Sequence, residues 1–89
     1  MQLERWQKFS KSQQIGAIAA EIMRAKIWQE KDREKFLSAL ERALELIDSS
    51  LDDNRWQGQR SMLYGLREEF SKFYLGDNKK DIGILYNAL

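Results

Sequence analysis

Carboxylates recur along the middle of this 89-residue sequence at spacings that suit a divalent cation. Glu34, Glu41, Glu45 and Asp48 stand at offsets of seven, eleven and fourteen residues from the first, which lines them along one side of an α-helix. Glu41, Glu45 and Asp48 are spaced to converge on Mg²⁺, an ion that takes oxygen ligands through a few carboxylates plus phosphate. The competing reading is a solvated acidic face, or one paired to a neighbouring helix. The chain contains no cysteine and no histidine. That removes disulfides, thiolate and imidazole zinc sites, thiol redox chemistry and every nucleophile or base built on those side chains. No cofactor is expected.

Further along, Arg67 falls on the same side of a helical projection as Leu63, Phe70 and Tyr74, with Arg60 one heptad earlier. A cation turned toward a core needs an acidic partner or a route to solvent. Arg60 and Arg67 are therefore expected to reach Glu41, Glu45 or Asp48 and set the register of two helices. The alternative is an anion site, because a planar guanidinium suits two-point binding of an oxyanion.

A third set of residues points to association. Ile15, Ile18, Ala19, Ile22 and Ala25 form an apolar stripe, and Gly16, Ala20, Met23 and Ile27 form a second one on the same helix. That helix is either central in a bundle or shared with a partner chain. Small residues at 16 and 20 would admit a second helix closely. On the polar side, Arg24 and Trp28 stand four apart and are placed to stack as cation and ring, beside Glu21. Trp28 reads either as an interface anchor or as a lid on one end of the core.

These residues need helices to position them, and the composition supplies helices. There is no proline, and Ala, Leu, Glu, Lys, Arg and Gln are abundant. Ser10 and Gln13 have capping-box spacing, so the first long helix runs from there to about Trp28. Asp32 is the expected N-cap of the second, which continues to about Ser49 with Phe36, Leu37, Leu40, Ala43, Leu44 and Ile47 on one face. Residues 49–54 read as a loop. The third helix covers residues 55–75 through Trp56, Leu63, Leu66, Phe70, Phe73 and Tyr74, and Gly76 is its expected left-handed cap. A short fourth helix over residues 81–89 and a short lead carrying Trp6 and Phe9 complete the reading. The expected architecture is all-α: one domain over residues 1–89, an antiparallel three-helix bundle with short terminal additions.

The run Glu41-Arg42-Ala43-Leu44-Glu45-Leu46-Ile47-Asp48, the triplet Arg67-Glu68-Glu69 followed by Phe73, Tyr74 and Gly76, and Glu21 with Arg24 and Ala25 resemble a group of short, uncharacterised prokaryotic helical proteins. The resemblance covers about residues 6–78 and implies a helical bundle and little else. In size and layout the chain is also similar to the HEPN-class partners of minimal nucleotidyltransferases, but it lacks the histidine that follows an arginine in that class. The acidic stripe resembles that of all-helical nucleoside triphosphate pyrophosphohydrolases, though the second acidic helix they use is absent.

Lys and Arg total 15 against 14 for Asp and Glu, a formal net charge of +1. Such a chain has no global basic field, so nucleic acid is not the expected partner, although Trp56 beside Arg55 and Arg60 offers an aromatic–basic pairing of the kind that stacks on bases. No start pattern indicates export and no apolar run suits a bilayer, so the expected location is the cytoplasm, away from membranes. The expected function is a non-enzymatic interaction module, a homodimer or a protein docked on a larger partner. A Mg²⁺-dependent nucleotide hydrolase is the second expectation and a nucleic-acid accessory the third.

Overall fold

The computed structural model describes residues 3–89, with side chains from residue 5 onward. Helix α1 (Leu3–Gln7) leads into α2 (Lys11–Trp28) and α3 (Arg33–Leu51); a 3₁₀ segment (Asn54–Gln59) precedes α4 (Arg60–Leu75), and a second 3₁₀ segment (Ile82–Ala88) ends the chain. No strand occurs among the described residues, so the protein is an all-α bundle.

The helix boundaries follow from local chemistry. Ser10 Oγ accepts from the Gln13 amide at 3.1 Å while the Ser10 amide donates to Gln13 Oε1 at 2.8 Å, closing the capping box at the start of α2. Asp32 Oδ1 accepts from the Lys35 amide at 3.1 Å and opens α3. Gly76, at φ 82°, caps α4 in the left-handed region with its N–H turned to the Lys72 and Phe73 carbonyls.

Three boundaries differ from the sequence reading. Ser49, Ser50 and Leu51 belong to α3, because Ser50 Oγ donates to the Leu46 carbonyl at 2.9 Å inside the helix instead of diverting the backbone. Residues 54–59 form the 3₁₀ segment, capped by Asp53, so α4 starts at Arg60 rather than at residue 55. The C-terminal piece is 3₁₀ rather than α-helix, with Ile82 and Leu85 three apart on its buried side.

The central element is α3, which packs against α1, α2, α4 and the first 3₁₀ segment. Helix α2, expected to be central or shared with a partner, lies to one side. Helices α2 and α4 make few close approaches, and the C-terminal segment packs on both of them. Its Ile82 and Leu85 join Ile18, Ile22, Leu40, Ile47, Leu63 and Phe70 in one continuous core. Trp6 and Trp56 are fully buried at the other end, where a polar cluster holds them. Trp6 Nε1 donates to Ser50 Oγ at 3.1 Å, Trp56 Nε1 donates to Gln14 Oε1, and Gln14 Nε2 donates to the Trp6 carbonyl at 2.9 Å and to Asp53 Oδ2 at 3.2 Å. Gln14 thus joins the lead, α2 and the 3₁₀ segment in one satisfied network, as burial of an amide requires.

Candidate interaction face

Two carboxylates, one guanidinium and one phenol meet along the seam between α3 and α4. Arg67 Nε donates to Asp48 Oδ1 at 2.7 Å, and one heptad away the Tyr74 hydroxyl donates to Glu41 Oε1, also at 2.7 Å. The antiparallel helices bring residues 48 and 41 beside 67 and 74, so the charged edge of the seam keeps the heptad spacing of both. The Asp48 carboxylate raises the pKa of Arg67, and the Glu41 carboxylate raises that of Tyr74, each through the hydrogen bond first and charge second. Arg67 is exposed at the edge of the seam, not turned into the core.

The same seam disposes of two expectations. Glu41, Glu45 and Asp48 do not close on a common point: Glu41 serves Tyr74, Asp48 serves Arg67, and Glu45 accepts from Arg42 at 3.4 Å. Among the described residues, no group of three or more acidic side chains could hold a metal ion. Arg60 forms no ion pair with α3. It is half-buried at the start of α4, and its Nε is buried without a hydrogen-bond partner.

The aromatic expectations change as well. Trp56 is buried, 1% exposed, and offers no face to a nucleobase. Trp28 is half-buried and packs on the core, and the cation over its ring is Lys35 at 4.1 Å, not Arg24. Arg24 instead lies 3.3 Å from Oε2 of Glu21, three residues earlier on α2 and buried.

What remains is the outer side of α2. Its buried line is Gln14, Ile18, Glu21, Ile22 and Ala25. At 3.6 residues per turn Gly16, Ala20, Met23 and Ile27 fall opposite that line, and all four are exposed, Met23 by 48% and Ile27 by 56%. Residues 12–20 include no charged side chain, in a chain of which 33% is charged. The exposed side of α2 is thus uncharged over residues 12–20, where a solvent-facing helix side is ordinarily charged, and charge returns only at Arg24 and Lys26. A Cβ built on Gly16 would meet nothing within 4 Å, so this glycine leaves its helix surface bare and low.

At its C-terminal end this face runs into an open groove of ≈ 430 Å³. Met23 and Ile27 supply the apolar side, and Lys79 and Lys80 stand across from them. The Gln29 carboxamide fixes that far wall from both ends, donating to the Lys80 carbonyl at 2.7 Å and accepting from the Ile82 amide at 2.8 Å. A Cβ on Gly83 would sit 2.9 Å from Asp81 Oδ1 and 3.1 Å from Lys26 Nζ, so the segment lies close against the Lys26 side chain. Tyr86, 52% exposed, extends the apolar surface past Met23. The sequence reading found Met23 and Ile27 but not the lysines or Tyr86, because 52 or more residues separate Ile27 from Lys79 and beyond.

No helix of the described residues is long and apolar enough to cross a membrane. Comparison with protein-family models, curated proteins and solved structures gives no match to this chain.

Proposed function

We propose that the protein is a non-enzymatic interaction module that pairs with a second copy of itself through the outer face of α2. One observation carries the reading: the size order along that exposed face is small, small, large, large. In an antiparallel pairing about an axis between residues 21 and 22, Gly16 of one copy faces Ile27 of the other, and Ala20 faces Met23. Each bulky side chain then meets a low point, as close helix packing and a two-fold, self-complementary interface require. A parallel pairing would stack Ile27 on Ile27 and bring the lysine-rich ends together. The uncharged run at 12–20 supports the same reading, since nothing in it has to be desolvated as an ion. The stripe spans about 16 Å, so the contact sits at the small end of interface sizes and the dimer is concentration-dependent.

Light scattering over a concentration series tests this. The expected mass rises toward twice 10.6 kDa, and Ala20→Glu returns it to the monomer with its helicity intact, because position 20 is exposed. The chain has no cysteine of its own, so single-cysteine variants report orientation. Gly16→Cys mixed with Ile27→Cys should cross-link, and Gly16→Cys alone should not. A monomer at about 1 mM, or an Ala20→Glu protein of unchanged mass, sinks the proposal.

A further inference from the structure

We infer that the groove at the C-terminal end of α2 is a docking site for an acidic peptide segment of another protein, one that carries apolar side chains between its carboxylates. The groove combines two chemistries that a single occupant would have to match. Met23 and Ile27 give it an apolar side, exposed to water over about half of each side chain. Lys26, Lys31, Lys79 and Lys80 surround that side, against only Glu30 and Asp81.

The local excess of positive charge is not consumed within the chain. Asp81 Oδ1 already accepts from the Gly83 amide at 2.7 Å and lies 4.0 Å from Lys26 Nζ. Among the described residues, no carboxylate lies within 4 Å of the ammonium groups of Lys31, Lys79 or Lys80. Lys26 and Lys31 suit the negative end of α2, and Lys79 and Lys80 follow the Gly76 cap of α4 on the opposite wall, so two helix C-termini and four ammoniums meet at one groove with only two carboxylates. The chain as a whole is close to neutral, so this concentration of four ammoniums is a local feature with its compensating acids elsewhere. The wall that presents Lys80 is held in place by both ends of the Gln29 carboxamide. A ligand would therefore not have to order it on binding.

Because Met23 and Ile27 also belong to the self-association face, an acidic segment and a second copy would compete for them. The site itself does not depend on the dimer, and Ala20 is not part of the groove.

The test is fluorescence anisotropy with a labelled peptide of alternating glutamate and leucine, beside the same peptide with glutamine in place of glutamate. The expected result is binding of the acidic peptide at least tenfold tighter than the neutral one, weakening as salt is raised. Lys79→Glu with Lys80→Glu should abolish the preference, and Ile27→Asp should weaken both peptides; all three positions are exposed, so the fold survives by circular dichroism. Equal affinity for the two peptides, or unchanged binding by the double lysine variant, overturns the proposal, as does no binding at about 1 mM. Repeating the titration with Ala20→Glu separates the two readings: binding retained by a protein that never dimerised leaves the groove standing and removes only the self-association.

Discussion

Arg67 on α4 and Asp48 on α3 are joined at 2.7 Å across the seam of the bundle, with both side chains about half exposed. The bond sits one heptad from the hydroxyl of Tyr74 on Glu41. The two contacts orient α4 on α3, while the apolar residues beneath carry the stability.

That division can be measured with a double-mutant cycle on Arg67→Ala and Asp48→Ala. Exposed ion pairs are worth under about 1 kcal/mol, and the coupling energy should fall there. Leu63→Ala, fully buried below them, should cost about 2–5 kcal/mol in urea unfolding. A coupling larger than the leucine cost would assign the seam a dominant role it is not expected to have.

Gln14 should be among the most sensitive polar positions. Gln14→Ala leaves the buried Trp56 Nε1 without its partner and removes one of the two donors to the Trp6 carbonyl, the Phe9 amide being the other. The expected loss is about 2–3 kcal/mol, or roughly 10–20 °C in Tm for a chain of this size. Scanning calorimetry of the single variant decides it, and a shift below a few degrees would mean that water replaces the amide.

Acid should act through Asp53. Its carboxyl is buried, and the hydrogen bond from Arg55 holds its pKa far below the usual 3.8, against the opposing effect of burial. A folded-state pKa below the unfolded one gives stability that is fully present above the unfolded value and is lost as pH falls toward the folded one. Stability of the parent should therefore drop below about pH 4. Asp53→Asn, less stable at neutral pH, should show a flatter profile over that range. Parallel profiles would remove Asp53 as a source of acid sensitivity.

Two glycines, one inside α4 and one capping it, should respond in opposite directions. Gly65 lies inside the helix with open space at the Cβ position, so Gly65→Ala should stabilise by about 0.5–1 kcal/mol. Gly76 has equally open space but a φ of 82°, so Gly76→Ala should destabilise by about 1–2 kcal/mol through backbone strain alone. Thermal melts of the pair compare the two effects within one helix.

The sequence by itself determined the three long helices, the caps at Ser10, Asp32 and Gly76, and most of the buried faces, because helical periodicity and capping depend on residues within one or two turns of each other. It also marked the outer stripe of α2, since Gly16, Ala20, Met23 and Ile27 share one helix. Tertiary structure decided everything that joins distant stretches. It made α3 rather than α2 the central helix, and it decided between the two readings of Trp56, burying it with the apolar face on which the sequence had placed it and leaving no ring to stack on a base. It gave Trp28 to Lys35, it chose Asp48 among the three carboxylates the sequence offered to Arg67, and it used Glu41 as a partner for Tyr74 instead of a metal ligand. The groove belongs to the same category, because Lys79 and Lys80 meet Met23 and Ile27 only when the C-terminal segment folds back along α2. Local spacing sets which face of a helix is apolar, and only the packing of remote segments sets which of those faces stays open to water.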